Sequence, residues 1–442
     1  MAMTSTVDRA PRIRWGRATL QFLKISAFLG PALIILGALL VYPIIFTGVR
    51  STFDAAGDTF VGLANYEQIF TNPRTLIAVR NNLIWVLVVP VIITTLGLVF
   101  AVLSNRLAWR AAFRMAIFLP LVVSGLAAGV TFRFLFAASP EVGTANAMLR
   151  GVVHLFQPPG EYPTARVSRE APLEPLEGGG FVSTTTFGAG DTALLGMVGV
   201  QAGNLPKEAA SAAEPVTDPG KLEGVVWLDF SPGGTVGEVD EVERGMPGVP
   251  VGLLAEDGDR IVARTVTDES GRFSFDVEAG AQHRVQLAAS AFRQPYPGIA
   301  WLGPTFITIS IMLGYIWMQT GFAVVIIGAG LSSLDRELQE AARTDGANEF
   351  QVFRHVTVPV LLPILMVVLV TTVINVLKIF DLVFIIAPES MQPYANVLAL
   401  EMWRASFGGA RDFGLGSALA MLLLVMIIPA MIFNIRNFRR DG

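Results

Sequence analysis

Six long apolar segments dominate the pattern of hydrophobic and polar positions along this chain. A helix needs about 20 mostly apolar residues to cross the hydrocarbon core of a bilayer. Segments that meet this requirement run approximately over residues 25–49, 83–103, 112–137, 299–331, 356–387 and 413–435. The first is too long for the core of a signal peptide and lacks a small-residue cleavage site after it. The pattern therefore predicts an all-α polytopic membrane protein with six transmembrane helices.

The positions of Lys and Arg predict the orientation of these spans. If the amino terminus is cytoplasmic, the inner segments carry 14 basic residues and the two short outer segments carry 5. Basic residues favour the cytoplasmic side, so we expect a multi-pass protein of a bacterial cell membrane with both termini inside. The predicted divisions are a cytoplasmic segment 1–24, spans one to three in 25–138, an extracytoplasmic insert 139–297, spans four to six in 299–436 and a cytoplasmic tail 437–442.

The predicted insert has two parts with different patterns. Residues 155–223 are rich in Pro, Gly, Ala and Glu, which indicates that much of this segment is linker-like or loosely folded, with room for a strand or two around 181–186. Residues 224–290 alternate apolar and polar positions at period two, with Asp-Gly and Ser-Gly turns between the runs. This alternation predicts an antiparallel β-sandwich inserted between spans three and four.

Composition and charge agree with this division. The chain is 52% hydrophobic and only 15% charged, and residues 141–297 hold 22 acidic against 11 basic residues. There are no cysteines and only three dispersed histidines, so we expect no metal site. The one Gly-Lys pair, Gly220–Lys221, is followed by Leu222 and lacks the phosphate-binding loop pattern. The chain is therefore expected to be a non-enzyme that binds no nucleotide or other cofactor itself.

The segment between spans four and five carries the most informative motif. Its sequence, DRELQEAARTDGANEFQVFRHVTVP, predicts two short amphipathic helices that meet at Gly346 in a cytoplasmic elbow, residues 332–358. Small residues on the first helix allow a partner to approach closely. From spacing alone, an ordinary interfacial loop helix is an equally good interpretation.

This motif resembles the coupling motif of binding-protein-dependent ABC importer permeases, in the sugar (maltose and glycerol-phosphate) branch. The matching positions are Glu340, Ala341, Ala342, Gly346, Val356, Val358 and Pro359. Further matches are FVGLANYEQIF at 60–70, FRMAIFLPLVVSG at 113–125 and FDLVF at 380–384. The resemblance covers all six spans, and maltose permeases also carry a large external domain between the equivalent spans.

The resemblance implies an ATP-driven importer that works by alternating access. The implied partners are a sister permease, two ATPase subunits that bind ATP and Mg²⁺, an extracytoplasmic solute-binding protein and membrane lipid, with no nucleic acid. Glu340, Ala341, Ala342, Asp345 and Gly346 would contact the ATPase. The implied cargo is a carbohydrate, an oligosaccharide or α-glucoside such as maltose, maltodextrin or trehalose.

Polar and aromatic side chains at membrane depth indicate where the path of that cargo lies. Tyr315, Gln319 and Phe322 share one face of span four, and Thr372 and Asn375 lie together in span five. Aromatic faces stack on sugar C–H surfaces, and amides and hydroxyls bind sugar hydroxyls. The resemblance adds Trp317 and Met318, whereas Asn375 stands where maltose permeases have an aromatic residue. The alternative is that Gln, Thr and Asn join helices within the bundle. Arg133, near the outer end of span three, is interpreted as an interfacial side chain.

The second half of the insert resembles the prealbumin-like modules of bacterial surface proteins. The matches lie at 226–229, 243–253 and 267–275. Some such modules bind calcium in their first acidic loop, but Ser231 and glycines stand here where further oxygen ligands are expected. The alternative is that Asp229, Asp240 and Glu243 form a solvated acidic turn.

Other classes of function fit the sequence less well. An importer permease for another polar solute of the glycerol-phosphate type is the main alternative. A secondary transporter would show proton-relay carboxylates or histidines within spans, and a membrane-anchored adhesin would need one or two spans rather than six.

Overall fold

The computed structural model describes residues 15–105, 107–230, 234–240, 242–255, 258, 260–409 and 411–438. The chain divides into two compact units. A membrane unit consists of Met1–Phe136 and Ala300–Gly442, and an insert unit consists of Ala137–Ile299.

The helices follow each other in chain order. They are α1 (Trp15–Leu36), α2 (Tyr42–Arg50), α3 (Ala64–Thr71), α4 (Pro73–Asn105), α5 (Arg110–Val122), α6 (Gly125–Leu135), α7 (Thr144–Phe156), α8 (Ala289–Phe292), α9 (Ile307–Ser332), α10 (Arg336–Thr344), α11 (Glu349–Val352), α12 (Val358–Leu377), α13 (Asp381–Ile386), α14 (Leu398–Phe407) and α15 (Phe413–Phe438). Single π-helical turns, Gly37–Val41 and Phe353–Thr357, join α1 to α2 and α11 to α12. Helices α7 and α8 belong to the insert unit, and the others to the membrane unit.

Within the described residues, five helical segments are long and apolar enough to cross a membrane. They are Ala27–Arg50, Pro73–Asn105, Ile307–Ser332, Glu349–Leu377 and Phe413–Ile432. The bent pair α5 and α6 makes a sixth if the two helices form one span. The prediction of several transmembrane helices is therefore confirmed, with five or six spans.

The third predicted span, 112–137, is not one continuous helix. Helices α5 and α6 meet at an angle of 96°, because Val123 is extended and Ser124 caps a new helix by accepting a hydrogen bond from Ala127 N at 3.2 Å. A serine with extended backbone is a favourable N-cap. The fifth predicted span, 356–387, is also shorter than expected, because α12 ends at Leu377 and α13 is a separate helix.

Small residues allow the central helices of the membrane unit to approach closely. A Cβ atom at Gly97 of α4 would lie only 2.5 Å from the Cβ of Ala323 of α9. The same two helices are in contact through Trp85 and Tyr315, whose rings are perpendicular with centroids 5.6 Å apart. Close packing of this kind is a principal source of stability between helices in lipid.

In the described part of the insert unit, ten strands form two sheets. The strands are β1 (Arg166–Val167), β2 (Leu173–Pro175), β3 (Phe181–Ser183), β4 (Thr192–Val198), β5 (Lys221–Leu228), β6 (Arg244–Gly245), β7 (Pro250–Leu254), β8 (Ile261–Val266), β9 (Arg272–Asp276) and β10 (Arg284–Leu287). One sheet has the order β1-β4-β5-β6 with β9 also paired to β5, and the other has the order β2-β3-β10-β7-β8. All pairs are antiparallel except β4 with β5.

Both sheets contribute to one hydrophobic core. Leu195 of β4 and Val226 of β5 pack in the same cluster as Val251 of β7 and Val285 of β10, and all four are almost completely buried. The β-patterned segment 224–290 thus provides six of the ten strands.

The prediction that much of residues 155–223 is linker-like was wrong, although the strand allowed around 181–186 is present as β3. This segment carries β1 to β4, and the side chain of Tyr162 is fully buried with its hydroxyl donating to Pro247 O at 2.5 Å. Burial also raises the pKa of that hydroxyl. Three of the four strands have only two or three residues, too short for a period to show. The fourth strand, TALLGMV, is apolar after its first residue and shows no alternation. Such a run is typical of a strand that pairs in parallel inside a sheet.

The acidic turn of the insert is not solvated as expected. Asp229 is 5% exposed and Glu243 is 2% exposed. Asp229 accepts hydrogen bonds from Ser168 Oγ and Gly237 N, and Glu243 accepts one from Asp240 N at 3.1 Å. Desolvation raises the pKa of Glu243. Ser231 lies outside the described residues, and within them no group of three His, Asp or Glu side chains could hold a metal ion.

The two ends of the insert unit are joined by one buried side chain. Asn146 of α7 is fully buried, and its Nδ2 lies 2.9 Å from the carbonyl oxygens of Ala137, Ala138 and Ile299. Its Oδ1 accepts a hydrogen bond from Ile299 N at 2.8 Å. The point where the chain enters the unit and the point where it leaves are therefore adjacent.

Replacing Asn146 by leucine, which has a similar size, is expected to loosen both junctions. Three partly buried carbonyls and one N–H would lose their amide partner, at a cost of about 1 to 3 kcal/mol. Hydrogen exchange on the full-length protein should show loss of protection at Ile299. Met148→Ala, an exposed position on the same helix, is the control and should leave protection unchanged. Retained protection in Asn146→Leu would contradict this account.

Candidate functional site

The elbow between α9 and α12 is built from two short helices with well-defined ends. Helix α10 begins after Asp335, whose carboxylate accepts a hydrogen bond from Glu337 N at 3.0 Å. It ends where Gly346 N donates to Arg343 O and Ala347 N donates to Ala342 O, each at 3.0 Å. This pair of bonds is the Schellman motif, which needs a left-handed residue. Gly346 has that conformation, with φ +88°.

The second elbow helix is fixed relative to the first. Asn348 and Gln351 form a reciprocal capping box at the start of α11. The guanidinium of Arg343 on α10 forms an ion pair with Glu349 on α11, with Nε and Oε1 2.9 Å apart. The sequence Thr-Asp-Gly-Ala-Asn thus ends one helix and begins the next within five residues.

The elbow presents an exposed surface. Among the residues predicted to contact an ATPase, Ala342 is half-buried. The others, Glu340, Ala341, Asp345 and Gly346, are exposed. A Cβ atom at Gly346 would meet no atom of the described chain within 4 Å. Two large apolar side chains beside them, Leu338 and Phe350, are 52% and 67% exposed. An exposed apolar patch with a polar rim is typical of a protein interface.

The predicted cargo residues of α9 occupy different surroundings. Tyr315 is 6% exposed and packs against Trp85, and Gln319 Nε2 lies 3.3 Å from its hydroxyl. Met318, Gln319 and Phe322 are half-buried. Trp317 is 46% exposed and contacts Phe132 edge to face, with ring centroids 5.4 Å apart. The structure therefore joins Tyr315 to Gln319 and leaves Trp317 open on another part of the helix.

The two candidates on α12 differ from each other. Thr372 is buried and its hydroxyl donates to Val368 O of its own helix at 2.8 Å. Threonine hydroxyls within helices commonly donate a hydrogen bond to the carbonyl oxygen four residues earlier. Asn375, one turn further on, is half-buried.

A large cavity that the sequence did not indicate lies at the other end of α12 from the elbow. It measures about 1070 Å³. Its walls come from the start of α4, the end of α6, α13, α14 and the start of α15. The lining includes Arg74, Arg133, Phe384, Glu389, Gln392, Glu401, Trp403, Arg404 and Asp412. Arg133, expected to be an interfacial side chain, is one of these wall residues.

A network of buried asparagines positions α14 beside this cavity. Asn81 Nδ2 donates to Tyr394 O and Asn396 O, at 2.9 and 2.8 Å. Asn82 Oδ1 accepts from Leu398 N at 2.8 Å, at the first turn of α14. The sequence carried one signal of this network, the adjacent asparagines at 81 and 82 in an apolar helix. Buried amides in a span need hydrogen-bond partners, so this pair indicates contacts with another part of the chain.

Comparison with known proteins agrees with the resemblance of the elbow motif to that of importer permeases. Residues 273–437 match the family described as binding-protein-dependent transport system inner membrane component. The osmoprotective compounds uptake permease protein GgtC of Synechocystis sp. is 28% identical over 93% of this chain and 98% of its own. The alpha-glucoside transport system permease protein AglF of Rhizobium meliloti is 26% identical over 94% of this chain and 82% of its own. Both alignments extend across the insert as well as the spans.

A solved structure shares the fold. It is a bacterial alginate ABC transporter in complex with an alginate pentasaccharide-bound periplasmic protein, and it matches with a TM-score of 0.55 at 14% identity. The match covers 95% of this chain and 96% of that chain. The prediction of a polytopic permease fold is therefore confirmed, and over residues 273–437 the chain is similar to the inner-membrane components of binding-protein-dependent transport systems.

Proposed function

We propose that this permease imports a neutral carbohydrate, an oligosaccharide or α-glucoside of the maltose, maltodextrin or trehalose type. Similarity over nearly the whole chain to an alpha-glucoside permease supports this class of cargo. The half-buried amide and rings of α9 supply the hydrogen-bonding and stacking groups that a sugar requires. The extracytoplasmic insert acts as a β-sandwich domain on the side where the solute-binding protein docks.

The exposed elbow is the observation that carries the mechanism. An ATPase dimer that seats Glu340 and Gly346 can move α10 and α11 together, because the Arg343–Glu349 ion pair links the two helices. Helix α12 continues from the elbow through one π-helical turn. Closure of the ATPases on ATP and Mg²⁺ would therefore tilt α12 and alternate access to the path, with a sister permease forming its other half.

Uptake by the complete complex in proteoliposomes tests this function. Radiolabelled maltose, maltotriose and trehalose are offered with the solute-binding protein and ATP, and glycerol 3-phosphate serves as the polar non-sugar comparison. ATP-dependent accumulation of at least one sugar is expected. Accumulation of glycerol phosphate alone would replace the cargo assignment, and uptake driven by an ion gradient without ATP would overturn the mechanism.

Variants of α9 test the predicted path. Gln319→Leu removes the amide that contacts Tyr315, and Phe322→Ala removes an aromatic face, so both are expected to lower sugar uptake. Complex assembly and ATPase activity should remain largely intact. Leu87→Ala, which shortens an exposed apolar side chain of α4, is the matched control. Parental uptake in both α9 variants would mean that this stripe serves only helix packing.

A further inference from the structure

The 1070 Å³ cavity beyond α12 has the size of a ligand site. Small-molecule sites commonly measure about 300 to 1,000 Å³. Its walls lie at the start of α4 and α15, at the end of α6, and in α13 and α14, which follow the end of α12. Because the elbow is at the opposite end of α12, the cavity faces outward when the elbow faces the ATPases.

One wall of the cavity is aromatic. The rings of Phe384 and Trp403 contact each other edge to face, with centroids 5.3 Å apart, and Phe384 is 39% exposed. Phe380 stacks behind Phe384 at 5.5 Å and also contacts Trp403, but it does not line the cavity. This arrangement holds two aromatic faces rigidly at the edge of the open space.

A guanidinium beside this wall is held in place by its neighbours. Arg404 Nη2 donates to Gln392 Oε1 at 2.5 Å, and Arg404 Nη1 lies 4.0 Å from Glu401 Oε2. Gln392, 7% exposed, is itself fixed because its amide donates to Phe384 O at 3.1 Å. Glu401 accepts from Asn396 Nδ2 at 2.6 Å. A guanidinium carries five N–H donors, more than these two partners use.

The charges of the lining balance. The lining contains three arginines, at 74, 133 and 404, and three carboxylates, at 389, 401 and 412. Desolvation lowers the pKa of Arg404, and the charge of Glu401 opposes this effect. An acidic polymer would meet as many negative as positive groups here. A neutral polyol would instead find both donors and acceptors beside aromatic faces, which are the contacts that recognise sugar rings.

We propose that this cavity is an outer receiving site for a neutral oligosaccharide, in which Trp403 and Phe384 stack on sugar rings and Arg404 and Glu401 bind hydroxyls. The site would hold the sugar after it leaves the solute-binding protein and before it reaches α9. The inference rests on the proposed carbohydrate cargo and adds a second binding site to it.

The absence of cysteine from the chain permits a direct test. Gln68, an exposed residue of the lining, is replaced by cysteine in the complete complex in right-side-out vesicles, without solute-binding protein or ATP. The labelling rate of this chain by a membrane-impermeant maleimide is measured with maltose, maltotriose, trehalose, a glucuronate oligosaccharide or inorganic phosphate. A neutral sugar is expected to slow labelling. Trp403→Leu should lose this protection, and Phe380→Leu, a change in the same aromatic cluster outside the lining, should retain it.

A second lining variant, together with transport measured in the same vesicles, completes the test. Arg404→Lys keeps the charge but loses the planar fork of donors, so it should weaken protection even if Trp403→Leu fails to assemble. Equal labelling with and without every neutral sugar, in vesicles that still transport one of them, would overturn the receiving site and leave the proposed function intact. Protection by the glucuronate oligosaccharide or phosphate alone would overturn the neutral class. Protection by a sugar that is never transported would instead contradict the proposed function.

Discussion

Replacing Gly346 by valine is expected to abolish uptake while the chain still inserts in the membrane. Gly346 has φ +88° at the end of α10, a conformation that a β-branched residue adopts only with strain of about 1 to 3 kcal/mol. Relief of that strain would break the Schellman bonds and change the angle between α10 and α11. The added side chain would also project from an exposed surface where no described atom lies within 4 Å, and would obstruct the docked ATPase.

Co-purification of the ATPase, measured together with vesicle uptake, checks this prediction. Gly280→Val is the matched control, because Gly280 has φ +86° and equally open surroundings in a turn of the insert. It should cost similar local strain and leave coupling unchanged. Glu340→Lys, which reverses an exposed charge on the docking surface, should impair uptake less severely. Normal ATPase retention together with normal uptake in Gly346→Val would falsify the coupling role.

Replacing residues 157–295 by a short Gly/Ser linker is expected to preserve the spans and to weaken docking of the solute-binding protein. The structure shows why the linker can be short: Tyr296 N lies 3.4 Å from His154 Nε2, so the cut ends are neighbours. The Asn146 contacts with Ala137, Ala138 and Ile299 all remain. If the insert contributes to docking, the apparent affinity for the loaded binding protein should fall about tenfold or more, equivalent to about 1.4 kcal/mol.

Titration of ATPase activity with sugar-loaded binding protein measures this effect. In the control, the same linker is inserted at Gly178, in an open turn between β2 and β3 with φ +97°, and the domain is kept. Loss of affinity in both proteins would indicate that the linker interferes. Parental affinity after removal of the domain would exclude a docking role for the insert.

The approximate positions of most spans could be predicted because long apolar segments have few alternatives. The break in the third span could not, since the sequence around Ser124 remains apolar on both sides. Its cap depends on the extended backbone at Val123. In the insert, β1 and β2 were missed because they are short, and β4 was missed because its partner β5 lies further along the chain. Thr192 of β4, for example, pairs with Glu223 of β5.

The elbow and the cavity illustrate the same difference in the candidate sites. The elbow is local, because its cap residues and its glycine all lie between Asp335 and Gln351. Their spacing in the sequence therefore indicates its shape. The cavity depends on contacts such as Asn81 with Asn396, which are separated by 315 positions. Before folding, Arg133, Arg404 and Trp403 resemble ordinary side chains at a membrane interface, and only the tertiary structure places them around one space.

The junction held by Asn146 has a consequence for how such proteins diversify. Because the chain leaves the insert unit next to the point where it entered, spans three and four are connected as if by a tight hairpin, whatever lies beyond. A gene segment that encodes a different inserted module can replace this one without new demands on the bilayer helices, provided that its termini are close together. The same junction offers protein engineers a grafting point where a reporter or an affinity domain can be displayed on a working permease.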